Sequence, residues 1–147
     1  MKFVDLSLVS GEENIAADER LLASADRSPD NEILRLWQPD RHSVVLGISG
    51  RAQQEVRSDY CRANGIPVLR RSSGGAAVVI GPGCLNYSLI LNTQSSGPLS
   101  NIRSTNAWIM QIHRDLCRRL SGKHIEICGH TDLAVDGRKF SGNSQRR

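Results

Sequence analysis

The sequence predicts an α+β fold, a mostly antiparallel or mixed sheet flanked by helices. Three observations lead there. Short apolar, β-rich runs recur along the chain and are separated by turn residues. Stretches with helical spacing of apolar residues are interleaved with them, the longest marked by Ile102, Ile109, Ile112, Leu116 and Leu120. Near the C-terminus, Asp136-Gly137 sits between two further β-rich runs and is a strong hairpin signal. A length of 147 residues fits one domain with a real core, and there is no internal repeat or low-complexity tract.

Residues 2–8 read as a first strand. Ser10 and Glu13 then have capping-box spacing, and Ala17, Leu21, Leu22 and Ala25 give the following helix an apolar face. Ser28-Pro29-Asp30-Asn31 makes a loop. Residues 32–37 and 43–47 are β-rich, and the turn at residues 38–42 predicts a hairpin or neighbouring strands, with Trp37 in the core. A loop at 48–53 leads to a helix over 55–63 with Val56, Tyr60 and Ala63 on one face. Asn64-Gly65 stops that helix, and Ile66-Pro67 restarts the chain as a strand. Residues 78–80, the Gly81-Pro82-Gly83 turn and a strand over 85–91 follow, with Asn86 and Ser88 on one face and Tyr87 and Leu89 on the other. The long helix stops at Gly122, and residues 133–135 and 139–141 should pair across the Asp136-Gly137 turn.

Charge and composition narrow the function classes. The formal net charge of +4 is local, with Arg138, Lys139, Arg146 and Arg147 in the last ten residues. No long basic stripe interleaved with aromatics is present, which argues against nucleic acid as a partner. The start is too short and too acidic for a signal peptide and no run is apolar enough to span a bilayer, so a cytoplasmic protein without a membrane partner is expected. Cys61, Cys84, Cys117 and Cys128 form no C-x-x-C pair, so reduced and mostly buried thiols are expected. His42, His113, His124 and His130 have no ligand spacing with them, and no metal site is predicted.

The stretch with most chemistry runs from Val68 through Leu69-Arg70-Arg71-Ser72-Ser73-Gly74-Gly75-Ala76-Ala77-Val78 to Val79. It reads as a strand, a tight polar turn and a second strand. Successive amides of such a turn form an anion-binding concavity, glycine permits close approach of a ligand, and two arginines add donors suited to phosphate or carboxylate. The plainer reading is a Gly-Gly hairpin with two solvated arginines. It is neither a P-loop nor a G-x-G-x-x-G motif. Lys139, close after the hairpin turn, is equally open between a site lysine and a solvated one.

Three blocks taken together resemble the lipoate-protein ligase family, within the wider biotin/lipoate ligase superfamily. They are Arg70 to Val78, Gly81-Pro82-Gly83-Cys84-Leu85-Asn86-Tyr87-Ser88, and Thr131-Asp132-Leu133 continuing through Gly137-Arg138-Lys139-Phe140-Ser141-Gly142-Asn143. Leu34-Arg35-Leu36-Trp37 and Val44-Val45-Leu46-Gly47 resemble the family's early strands. The resemblance implies a biotin/lipoate ligase-like catalytic domain, of which residues 1–147 are the N-terminal part, because relatives continue through more strands. It implies that ATP, with Mg2+, activates lipoate or octanoate to an acyl adenylate. The acyl group then passes to a lysine of a lipoyl domain of a 2-oxo-acid dehydrogenase complex or of the glycine-cleavage H protein. A second polypeptide that completes the domain is a further partner left open. By the same resemblance Arg71, Ser73, Gly74, Gly75, Ala76, Ala77, Val78 and Val79 bind the nucleotide, Asn86 and Asp132 line the site, and Lys139 is the catalytic lysine. Ala76 departs from the third glycine of many relatives, which costs about 1 kcal/mol if φ must be positive there. Two other readings stand beside this one. One is an ATP-independent octanoyltransferase using a cysteine thioester, with Cys84 or Cys128 as the thiol; the other is a shortened chain that binds ligand or partner without turnover.

Overall fold

The computed structural model describes residues 1–25, 32–93 and 96–147. The loop expected at residues 28–31 lies outside the described residues. The chain forms two compact units, Met1–Asn92 and Thr93–Arg147.

The first unit holds two three-stranded sheets. β1 (Lys2–Asp5), β2 (Ile33–Trp37) and β6 (Asn86–Ile90) form one, with β2 central, parallel to β1 and antiparallel to β6. The helix α1 (Gly11–Ala25) makes the crossover that a parallel β1–β2 pair requires. Its N-terminus is the expected capping box: Ser10 Oγ accepts from the Glu13 amide at 3.1 Å, and Glu13 Oε2 accepts from the Ser10 amide at 3.0 Å. β1 stops three residues earlier than expected because the Asn14 side chain takes both backbone groups of Leu8, at 3.0 Å each, and turns the chain into α1.

β3 (Ser43–Leu46) is buried along its whole length between β4 (Val68–Arg70), parallel to it, and β5 (Val78–Ile80), antiparallel to it. The turn at residues 38–42 therefore joins strands of different sheets, which corrects the expected β2–β3 hairpin. An apolar run fixes a strand but not its neighbour. Trp37 from one sheet and Val45 and Ile80 from the other share one core, with Ile15 and Leu69 against it, so Trp37 is a core residue as expected. The helix expected over 55–63 is two: α2 (Ala52–Glu55) and α3 (Ser58–Ala63). Val56 between them is extended, its amide closing the first turn on the Ala52 carbonyl. Cys61 is the buried residue of α3, and Tyr60 faces solvent.

In the second unit α4 (Ile102–Ser121) packs on an antiparallel sheet of β7 (Glu126–Cys128), β8 (Asp132–Val135) and β9 (Arg138–Gly142). Asn101 caps α4 by accepting from the Ser104 amide, and the left-handed Gly122 ends it as expected. Met110, Ile125 and Leu133 form this unit's core, with Cys117 and Val135 beside them. The stripe of Ile102, Ile112, Leu116 and Leu120 that marked the helix faces solvent instead. Periodicity located the helix, and the narrow sheet selected the Met110–Cys117 face. Asp136 and Gly137, both at positive φ, make the tight turn between β8 and β9. Of the four free cysteines only Cys61 is buried; Cys117 is half-buried, and Cys84 and Cys128 are exposed, contrary to the expected mostly buried set. Among the described residues no helix is long and apolar enough to cross a membrane.

Candidate functional site: an amide loop and a lysine hairpin

Because β4 and β5 both pair with β3 and not with each other, the Gly-Gly segment is not a hairpin. It arches across the C-terminal end of β3. The Arg71 amide donates to the Leu46 carbonyl at 2.9 Å, and the Ile48 amide to the Ser73 carbonyl at 2.9 Å. Contact is so close at Gly47 that a Cβ there would lie 2.1 Å from the Gly75 carbonyl oxygen. Gly75 itself has φ of +94°, a conformation that favours glycine. Ala76 has no positive φ, so its departure from the family's third glycine brings no strain and its amide stays in the loop.

The two arginines expected to face an anion are directed at carbonyls. Arg70 Nη1 donates to Gly47, Ile48 and Gly50 at 2.7, 3.0 and 2.9 Å. Arg71 donates from Nη1 to Val45 at 3.0 Å and from Nη2 to Gly74 and Ala76 at 2.6 and 3.0 Å. The amides of Gly74, Gly75 and Ala76 meet no acceptor among the described residues, whereas the Ala77 amide donates to Glu55 Oε2 at 2.7 Å. The other Glu55 oxygen accepts from the Arg51 amide at 2.9 Å. These two amides, with Arg70 and Arg71 nearby, hold the Glu55 carboxyl below the usual carboxylate range. Partial burial lowers the Arg71 guanidinium, and Glu55 opposes that shift. Glu55 and Gly47 were not expected at the site from the sequence, where Gly47 only ended a strand block and Glu55 only began a helix; their partners lie 22 and 28 residues away.

Val78 and Val79 continue from the loop as β5, paired with Val45 and Val44. Asn86 begins β6 opposite Trp37, with its Nδ2 buried and meeting no acceptor among the described residues.

In the second unit the residues expected at the site are Asp132 and Lys139. Lys139 Nζ lies 2.7 Å from Asp132 Oδ2. A bulge makes this possible. Ala134 pairs with Lys139 and Leu133 with Ser141, so Phe140 is an extra residue in β9. Lys139 and Gly142, three apart, thereby share the face that carries Asp132, where an unbulged strand would put them on opposite faces. A Cβ at Gly142 would stand 3.1 Å from both Cε and Nζ of Lys139. Cys128 pairs with Asp132 in the neighbouring ladder and so lies on that same face. Among the described residues no three His, Cys, Asp or Glu side chains converge as a metal cage.

The fold agrees with the comparisons to known proteins. The sequence profile of the lipoyl protein ligase A/B catalytic domain matches residues 10–147. Lipoate-protein ligase LplJ of Bacillus subtilis is 33% identical over 132 residues, 90% of this chain and 37% of that protein. An octanoyl-[GcvH]:protein N-octanoyltransferase of Exiguobacterium sp. is 30% identical over 147 residues, 96% of this chain and 51% of that protein. A solved lipoate-protein ligase A bound with ATP superposes with a TM-score of 0.80 at 26% identity, covering 99% of this chain and 61% of the other. The chain thus spans about half, or less, of the length of these curated relatives. It belongs to the lipoyl protein ligase A/B catalytic-domain family.

Proposed function

We propose that this chain is the N-terminal part of one lipoate ligase-like catalytic domain and takes part in ATP-dependent activation of lipoate or octanoate. The single observation that carries the reading is the Gly74–Ala76 loop, whose amides meet no acceptor among the described residues while its Gly74 and Ala76 carbonyls are held by Arg71. Such a nest suits phosphate oxygens. In this reading residues Ser73 to Val79 shape the nucleotide site and Asn86 lines it. Arg71 acts by fixing the loop and lending it positive charge, and the amides make the phosphate contacts. The carboxylate of the acid attacks the α-phosphorus of ATP, pyrophosphate leaves, and a lysine amine of the acceptor then displaces AMP. Lys139, held by Asp132, supplies a fixed cation for charge that grows on the phosphate and carbonyl oxygens, the kind of contribution that dominates such transfers. Mg2+ fits as an ion carried on the nucleotide, since magnesium is commonly held by phosphates with few protein ligands. The acceptor would be a lipoyl domain or the glycine-cleavage H protein, with a second polypeptide as a further partner, in a cytoplasmic setting.

A second reading, acyl transfer through a thioester, is favoured by one observation. Cys128 is exposed on the same face as Asp132 and Lys139. Pyrophosphate release from ATP with lipoate, against octanoyl transfer from an octanoylated protein without ATP, separates the two. On the ligase reading Lys139→Ala lowers adenylate formation about 10²–10³-fold. Near-normal release from that variant would remove Lys139 from the mechanism, and ATP-independent transfer that is lost in Cys128→Ser would establish the second reading.

A further inference from the structure

The ligand loop is held from two sides, and the second side has no assigned role. Beneath it, Arg70 and Arg71 fasten carbonyls. At its far end, where the chain leaves Ala76 for β5, the Glu55 carboxylate accepts from the Ala77 amide. The last residue of α2, it spans two backbone amides: Arg51, at the start of its own short helix, and Ala77. The bridge joins a helical turn to the loop across 22 residues of sequence. Glu55 also stands close enough to Arg70 and Arg71 for their charges to be felt.

Two consequences of opposite sign follow. As a fixed acceptor, Glu55 orients the Ala77 amide and with it the preceding peptide units, which carry the open Gly74, Gly75 and Ala76 amides. As a negative charge, it opposes the approach of an anion. A hydrogen bond to an ionised group is a short, directed contact, whereas the repulsion from an exposed carboxylate is reduced by solvent and salt. We propose that Glu55 is a positioning residue for the amide loop, latching Ala77 so that the three open amides converge on the phosphate oxygens of a nucleotide. The proposal rests on the loop's assignment as the phosphate site, and it adds a residue outside that loop.

The latch itself can be read without ligand or turnover. In amide NMR spectra of the full chain, the Ala77 proton should lie downfield and move upfield as acid protonates Glu55. That movement should be absent in Glu55→Gln and Glu55→Ala. An Ala77 resonance indifferent to both acid and substitution would overturn the latch. Calorimetric titration with Mg-ATP then measures its effect. Glu55→Ala should weaken binding about tenfold. Glu55→Gln, which keeps an oxygen acceptor for the Ala77 amide, should recover most of the loss, and the shorter Glu55→Asp should not. Lipoate affinity should stay within about twofold in all three, a split that general loosening of the fold would not give. Tighter ATP binding in both Glu55→Gln and Glu55→Ala would overturn the proposal, because Glu55 would then act as a repelling anion. Wild-type protein that shows the Ala77 signature but binds no ATP would defeat the nucleotide reading and leave the latch in place.

Discussion

Two arginine clusters in the first unit use the same side chain for opposite ends. Arg35 is 1% exposed, on β2 under α1. It donates to the Asn14 carbonyl at 2.9 Å, Asn14 Oδ1 at 2.6 Å, the Leu6 carbonyl at 2.8 Å and Asp18 Oδ1 at 2.5 Å. Its guanidinium lies over the Trp37 ring, 5.6 Å from the centroid, and Asp18 Oδ2 also accepts from Trp37 Nε1. There the positive charge is answered by a carboxylate in direct contact, and the whole group serves to fix α1 on the sheet. Arg70 and Arg71 instead bond only neutral carbonyls among the described residues, at the open end of β3. Their charge is not cancelled by a bonded carboxylate, and the Gly74, Gly75 and Ala76 amides beside them meet no acceptor among the described residues. A buried arginine paired with an acid holds a fold together, whereas an arginine paired with carbonyls shapes a backbone segment and leaves its own charge without a bonded acid.

The largest effect should come from breaking the first cluster. Arg35→Met removes the partner of Asp18 and the hydrogen bonds to three further acceptors, the Asn14 carbonyl, Asn14 Oδ1 and the Leu6 carbonyl, and should cost about 3–5 kcal/mol of stability. Denaturant unfolding measures it, and a loss under about 1 kcal/mol would show that water replaces the guanidinium there. The second cluster should respond through ligand binding. Gly47→Ala puts a Cβ against the Gly75 carbonyl, a backbone atom that cannot move aside alone, so the loop must shift at a cost of about 1–3 kcal/mol. ATP affinity should fall with it while lipoate affinity holds, and calorimetry with each ligand would show equal losses if the loop were only a scaffold.

The smallest effect is a pH dependence. The folded-state value of Glu55 lies below the ordinary one, so its contribution to stability is fully present above the unfolded-state value. It fades as pH falls through the lowered folded value. Because Glu55 is exposed the effect is slight, and it should appear as a small difference in acid unfolding between wild type and Glu55→Gln. Identical profiles would show that the carboxylate's two amide bonds do not outlast the protein's exposure to water.

What the sequence disclosed were local matters. The Ser10–Glu13 box, the Gly122 stop and the Asp136-Gly137 turn depend on residues within four of one another, and each formed as read. The loop and Lys139 were recognisable through the order of the family-like blocks that contain them, since by residue type alone each was also readable as an ordinary turn or a solvated lysine. Less legible was anything set by a partner far along the chain. Nothing in Val44–Val45 says that both β4 and β5 pair with it, and nothing in Arg71 says that its donors go to Val45, Gly74 and Ala76. The bulge at Phe140 is invisible for the same reason, since an extra residue in β9 is defined only by what lies opposite in β8. Glu55 shows the cost most plainly: in sequence it opens a helix, and in the fold it closes a loop.

The central claim is that the Gly74–Ala76 amides receive a nucleotide's phosphates. Titrating the isotopically labelled chain with Mg-ATP and following every backbone amide tests it most directly. The account predicts saturable shifts, largest at Gly74, Gly75 and Ala76, that are reproduced by pyrophosphate and not by adenosine. Saturable ATP binding with those three amides unmoved would contradict it.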